Sequence, residues 1–150
     1  YGFSGASRDR VEFFVVKDFE EGYGDAVKGR IGHMDSLFQN RAGAALRNAT
    51  RRLEGTDSKT TSLIVVSDGH PLDEIPAPGE PMYRGEYSIQ DTRMALKEAR
   101  IKGIRPFCIT VDRKATDYIS TMYAEVNYTV IDDVAKLPER MPAIYRRLTT

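Results

Sequence analysis

The sequence is poor in the residues that build disulfides and metal sites. It has one cysteine, Cys108, two histidines and no tryptophan. A single cysteine excludes an internal disulfide, and two histidines with one cysteine cannot complete a typical zinc site without carboxylates. The sequence also lacks a glycine-rich phosphate loop, an apolar run long enough to span a bilayer and a signal-peptide pattern. We therefore expect a soluble, cytoplasmic domain.

An excess of charge of either sign is also absent. The 150 residues include 22 lysines and arginines and 22 aspartates and glutamates, so the formal net charge is zero. Proteins that bind nucleic acid without sequence specificity, or that bind an anionic membrane, need more lysines and arginines than aspartates and glutamates. We therefore expect neither nucleic acid nor a membrane among the partners.

The most informative segment is SLIVVSDG, residues 62–69. Its apolar run predicts a strand buried on both faces, which is typical of a parallel sheet covered by helices. Asp68 follows this strand directly, and open α/β sheets hold their ligands at the carboxyl ends of their strands. An ordinary Asp-Gly turn is the alternative interpretation.

Alternating strand and helix patterns predict a single α/β domain over residues 1–150. Residues 1–4 and 11–16 predict a hairpin at the antiparallel edge of the sheet. Residues 105–111 predict a second buried strand, parallel and adjacent to the first. The fold class is thus a Rossmann-like, mostly parallel sheet with helices on both faces.

Two helices have a clear inner face or a clear start. The helix that ends near Gly103 places four residues at helical spacing on its inner face, namely Ile89, Thr92, Leu96 and Ala99. Proline is tolerated in the first turn of a helix, so Pro142 is predicted to begin the closing helix. Three residues of that helix are expected to face inward: Ile144, Tyr145 and Leu148.

A long loop over residues 71–85 holds four of the seven prolines. Loops of this length in a compact domain are usually functional or mobile. Met82, Tyr83 and Tyr87 are therefore candidates for an exposed protein-binding patch. His70 and Asp73 are further candidates for partner contact, although an aspartate here can equally tie down the loop.

Eight short segments, in a fixed order, carry a resemblance to a known family. The chain resembles the carboxy-terminal von Willebrand factor type A domain of the NorD and CbbO proteins. The matching segments are YGFS (1–4), VKDF (16–19), NRAGAALRNAT (40–50), DGHPLD (68–73), YRGEY (83–87), DT (91–92), LP (137–138) and YRRLT (145–149).

The resemblance implies an adaptor function. Proteins of this family pair with a hexameric AAA+ ATPase of the MoxR class. NorD-type members are associated with maturation of nitric oxide reductase, and CbbO-type members with reactivation of inhibited Rubisco. The A-domain is expected to bind a client protein and not to act as an enzyme. The sequence leaves open whether the chain forms oligomers.

The resemblance also implies a metal-ion-dependent adhesion site that is only partly present. Asp68 matches the aspartate of the third metal-binding loop, and Asn40 stands where a threonine of the second loop is expected. The Asp-x-Ser-x-Ser loop and the central strand before it have no counterpart in the chain. We therefore expect a domain that is truncated at its amino terminus and binds no cofactor by itself, with Mg²⁺ possible in the intact protein.

Three other functions remain open. Ser67, Asp68 and His70 could form a hydrolase site, although residues so close in sequence do not face one another as a nucleophile and its base must. Asp68 and Asp112 could form a phospho-acceptor pocket at one rim of the sheet. The third alternative is a scaffold or oligomerisation domain without metal binding.

Overall fold

The computed structural model describes residues 1–35, 39–111 and 116–149. Asp112 lies outside these residues. The elements, in chain order, are β1 (Gly2–Gly5), β2 (Val11–Phe14), α1 (Asp25–Gly32), α2 (Ala42–Glu54), β3 (Ser62–Ser67), α3 (Gly85–Ile101), β4 (Arg105–Thr110), α4 (Thr116–Met122), β5 (Asn127–Val130) and α5 (Leu137–Thr149). None of the helices described is long and apolar enough to cross a membrane.

The strands form two separate sheets. β3, β4 and β5 pair in that order and all run parallel, as the sequence predicts. β1 and β2 form an antiparallel hairpin, with Gly2 opposite Phe14 and Gly5 opposite Val11. Among the described residues the hairpin does not pair with β3. The expectation that a strand absent from the chain lies between them stays a prediction.

The prediction that β3 is fully buried is wrong. β3 lies at one edge of the parallel sheet, and its Ile64 and Val66 side chains are 36% and 54% exposed. β4 is the central strand, and Phe107, Cys108 and Ile109 are almost completely buried there. The apolar sequence of β3 is typical of a strand that is buried on both faces. Within the described residues, the face that carries Ile64 and Val66 is not covered.

Helices cover both faces of the parallel sheet and form two cores. On one face, Leu46 of α2 and residues of α3 and α4 pack around Cys108. On the other face, Ile144 and Leu148 of α5 pack against Phe107 and Ile109. The α/β class with helices on both faces is therefore confirmed.

The helix predictions hold for α3 and fail in part for α5. All four residues predicted on the inner face of α3 are buried: Ile89, Thr92, Leu96 and Ala99. α5 begins at Leu137, so Pro142 lies inside it. A proline within the first four residues of a helix removes no intrahelical hydrogen bond, because those N–H groups have no partner in the helix. Pro142 is the sixth residue of α5, so its missing N–H removes one such bond. Tyr145 faces solvent, and only the other two predicted inward residues are buried.

Candidate functional site

The proline loop, defined here as residues 71–84, is held in place by the buried carboxylate of Asp73. This side chain is 0% exposed and accepts hydrogen bonds from the backbone N–H groups of Ser7 (2.8 Å) and Ile75 (2.9 Å). Arg41, at the start of α2, donates to it from Nε. Burial would raise the pKa of Asp73, but these three donors outweigh it and hold that pKa below its ordinary value.

Glu80 holds the far side of the proline loop. Its carboxylate accepts from the backbone N–H groups of Arg8 (3.0 Å) and Ala77 (3.0 Å) and from the Arg41 guanidinium (3.1 Å). Arg41 is itself buried and bridges the two carboxylates. This set of three residues, the Arg41 cluster (Arg41, Asp73 and Glu80), joins the loop to the hairpin turn and to α2.

Tyr83 fixes the carboxyl end of the loop. Its hydroxyl donates to Asp91 Oδ2 (2.7 Å) and accepts from the Gly43 N–H (3.2 Å). Its backbone exchanges two hydrogen bonds with Asp73, at 2.8 and 3.0 Å. Burial and the Asp91 carboxylate raise the pKa of Tyr83, so its hydroxyl remains a hydrogen-bond donor.

The structure therefore divides the predicted contact residues into two groups. Asp73 and Tyr83 lie in the interior, so the expected exposure of Tyr83 is wrong. Asp73 ties down the loop, as its alternative interpretation predicts. Asp73 and Tyr83 face each other in an antiparallel bridge. Successive side chains on an extended segment point to opposite sides, so Met82, the residue before Tyr83, points outward. Met82 and Tyr87 are 45% and 48% exposed, as a contact surface requires.

Two exposed apolar residues of the same loop were missed by the sequence analysis. Leu72 and Ile75 have exposed side chains, although both stand among prolines and charged residues. An apolar side chain between loop prolines is a signal that could have identified them. We define the loop patch as four exposed apolar side chains, Leu72, Ile75 and Met82 of the loop and Tyr87 of the first turn of α3.

His70 lies beside the loop, not in the loop patch. Its ring centroid is 4.4 Å from that of Tyr118, and Nδ1 is 3.3 Å from the Pro71 carbonyl oxygen. Ser67 Oγ donates to the Gly69 carbonyl (3.1 Å) and accepts from the Gly69 N–H (3.3 Å). Neither set of contacts joins Ser67 to His70, so the geometry offers no nucleophile–base pair here.

Asp68 and Asn40 both line a groove of about 770 Å³ between β1 and β3. Asn40 donates its backbone N–H to the Leu72 carbonyl (2.7 Å), whereas its side-chain Oδ1 is buried and has no hydrogen-bond partner among the residues that the structure describes. Amide and carboxylate oxygens are the ligand types that a hard cation prefers. Two oxygens are too few for the octahedral set that Mg²⁺ demands, and the described residues contain no cluster of three or more histidines, cysteines or carboxylates able to hold a metal. The described residues therefore do not fit a complete Mg²⁺ site.

The walls of the groove are mostly apolar. β1, the end of β2 and the residues after α1 form one wall, and the end of β3 forms the other. The apolar lining residues are Phe3, Phe14, Val15, Val16, Met34, Val66, Val111 and Val134. Among the polar lining residues are Arg30, His33, Gln39, Asn40 and Asp68.

Comparison with known proteins relates the chain to one segment of much longer proteins. It is 41% identical over 148 residues to an uncharacterized protein of Pseudomonas aeruginosa. The aligned region is 99% of the chain and 23% of that protein. It is 40% identical to protein NorD of Stutzerimonas stutzeri over 89% of the chain and 21% of the relative. For protein NorD of Brucella abortus, the identity is 37% over 97% of the chain and 22% of the relative.

The chain thus spans less than a quarter of the length of these curated relatives. The predicted resemblance to NorD proteins is confirmed as sequence similarity over most of the chain. No family model matches the chain, and no solved structure matches it.

Proposed function

We propose that this chain is a non-enzymatic protein-binding module of a NorD-like adaptor, with a von Willebrand factor type A fold. It acts with a hexameric MoxR-class AAA+ ATPase in the maturation of a client enzyme of the nitric oxide reductase type. The NorD-named relatives favour this client type over Rubisco. The observation that carries the binding function is the loop patch, four exposed apolar side chains on and next to a loop that buried ion pairs fix in place.

A fixed loop suits protein recognition for a physical reason. Ordering a flexible loop on binding costs free energy, and a loop that is already ordered avoids this cost. Asp73, Glu80 and Tyr83 order the proline loop before any partner arrives. Exposed Met and Tyr side chains are enriched at protein interfaces.

The test compares two pairs of exposed residues in the full-length protein. Met82→Ser with Tyr87→Ser alters the loop patch, and Met94→Ser with Tyr145→Ser is the matched control. Met94 is on α3 and is 45% exposed, the same fraction as Met82. Binding of a purified MoxR-class ATPase and of purified nitric oxide reductase is measured by biolayer interferometry.

We expect the loop-patch variant to weaken binding of at least one of these partners by about tenfold or more, the effect of losing about 1.4 kcal/mol. The control should bind like the unaltered protein. Equal affinities for both variants and both partners would refute the proposal.

A further inference from the structure

A positively charged cleft of about 380 Å³ lies at the amino ends of β4 and β5. The proline loop and Asp68 follow the carboxyl end of β3, so this cleft is at the opposite end of the parallel sheet. Its volume is within the range of clefts that bind small molecules, about 300–1,000 Å³. The lining carries an excess of two positive charges, because its charged residues are three arginines and one glutamate: Arg100, Arg105, Arg147 and Glu125.

Two of these arginines have most of their hydrogen-bond donors free within the described part of the chain. Arg105 donates from Nη1 to the Leu148 carbonyl at 3.4 Å, and Arg147 donates from Nη2 to Asn127 Oδ1 at 3.5 Å. Both distances exceed the usual N–H···O range of about 2.7–3.2 Å. Leu148 follows Arg147 directly, so the first contact also places both arginines on one wall of the cleft.

Glu125 neutralises only part of the charge. Its two carboxylate oxygens lie 3.3 Å from Arg93 and 3.4 Å from Arg100, so one carboxylate is shared by two arginines. Arg47, on a different surface, contacts Asp91 at 2.7 Å, which is the geometry of a tightly paired guanidinium. The arginines of the cleft are held less tightly and can turn toward a ligand.

The charge and the residue types of the cleft fit a phosphate group. A guanidinium donates two parallel hydrogen bonds to a phosphate or a carboxylate. A phosphate monoester carries a charge of about −1.5 to −2 at pH 7, whereas a carboxylate carries only one. Two excess positive charges therefore match a phosphate monoester more closely. The described lining has no aromatic side chain, so the cleft offers no ring on which the rest of a ligand could stack.

We propose that this cleft binds the phosphate group of a small molecule, with Arg105 and Arg147 as its principal donors and Arg100 beside them. The inference does not depend on the proposed function, because it concerns the opposite end of the sheet.

The arginines also have a simpler structural role at this place. α3 and α5 both end at the cleft, and the carboxyl end of a helix carries partial negative charge that a cation stabilises. The bond from Arg105 to the Leu148 carbonyl is a contact of this kind. It uses one of the five N–H donors of that guanidinium, so this role leaves most of the donors for a ligand. An experiment must therefore measure phosphate binding and stability separately.

Isothermal titration calorimetry tests the proposal on the full-length protein that contains this chain. The probes are inorganic phosphate, glycerol 3-phosphate and a phosphoserine peptide, in chloride buffer at constant ionic strength. The cleft variant is Arg105→Gln with Arg147→Gln. The matched control is Arg51→Gln with Arg140→Gln, which changes two exposed arginines of α2 and α5 outside the cleft lining. The melting temperature of each protein is measured in parallel.

We expect inorganic phosphate and glycerol 3-phosphate to bind the cleft variant about tenfold or more weakly than the unaltered protein. The control should bind both like the unaltered protein. Glu125→Gln removes the negative charge of the cleft lining and should strengthen phosphate binding by about twofold or more. This third variant keeps the test decisive if the cleft variant does not fold.

Four outcomes would overturn the proposal. The first is that phosphate does not bind the unaltered protein. The second is an equal loss of affinity in the cleft variant and the control, which would be an effect of net charge alone. The third is a lower melting temperature of the cleft variant with unchanged phosphate affinity, which would assign the arginines to the helix ends only. The fourth is a phosphoserine peptide that binds about tenfold more tightly than glycerol 3-phosphate, which would assign the cleft to a protein ligand.

Discussion

Arg41 and Asp73 form an ion pair in the interior of the protein, 32 residues apart in the sequence. Their side chains are 4% and 0% exposed. The pair joins the start of α2 to the amino-terminal part of the proline loop, and Glu80 binds the same guanidinium through Nη1. The conformation of an exposed loop thus depends on a buried charge pair.

Removing one partner of this pair should be costly. Asp73→Ala leaves the Arg41 charge in the interior without its nearest partner, and breaking a buried pair in this way costs about 3–5 kcal/mol of unfolding free energy. Glu74→Ala is the control, because Glu74 is exposed and pairs with Arg84 only loosely, at 3.9 Å. The control should change stability by less than about 1 kcal/mol. Urea unfolding measures both, and similar losses would contradict the structural role of Asp73.

The same carboxylates predict how stability depends on pH. The pKa values of Asp73 and Glu80 both lie below their ordinary values, because hydrogen bonds from backbone N–H groups and Arg41 outweigh the opposing effect of burial. A lowered pKa in the folded state stabilises the protein above the ordinary pKa of about 4, and this contribution is lost as the pH falls through the folded value. The melting temperature should therefore drop below about pH 4, and less steeply in Glu80→Gln than in the unaltered protein. A melting temperature that rises on acidification would contradict this account.

Gly43 is a position where one added methyl group should matter. A Cβ atom there would lie 2.0 Å from Asp91 Oδ2, the oxygen that accepts the Tyr83 hydroxyl. Gly43→Ala should push the Asp91 carboxylate away from Tyr83 and cost about 1–3 kcal/mol. Gly29→Ala is the control, because nothing lies within 4 Å of an added Cβ in α1 and alanine favours helix by about 0.5–1 kcal/mol. Urea unfolding and near-ultraviolet circular dichroism of the tyrosines would show whether only the first variant loosens the loop.

Local patterns predict those parts of the structure that local interactions determine. The inner face of α3 follows from helical spacing, and the parallel pairing of β3 with β4 follows from two apolar runs separated by a helix. The sequence does not show which neighbour a strand has on its other side. The apolar run of β3 therefore predicts burial that the described chain does not provide for Ile64 and Val66.

The candidate site could be predicted only in part for a related reason. Residue type identifies Met82 and Tyr87 as surface candidates, but the same reasoning selects Tyr83, which lies inside. Tyr83 is held inside by its backbone bridge with Asp73 and by two hydrogen-bond partners of its hydroxyl. These partners are Gly43, 40 residues away in the sequence, and Asp91, 8 residues away. Such long-range contacts leave no periodic signal in the sequence.

Magnesium binding by the 150-residue chain should be weak. Asp68 and Asn40 both line the groove, and within the described part of the chain the Asn40 side-chain oxygen is buried without a partner. Mg²⁺ requires six oxygens in near-octahedral order and is slow to give up its water, so one carboxylate and one amide oxygen leave most of its coordination to solvent. Titration calorimetry with Mg²⁺ and Mn²⁺ should give dissociation constants on the order of millimolar or weaker. Asp68→Asn should abolish whatever binding remains, while Asp57→Asn, on the loop before β3, should leave it unchanged. A micromolar site that survives Asp68→Asn would place the metal on other residues and would contradict the assignment of Asp68 as a ligand.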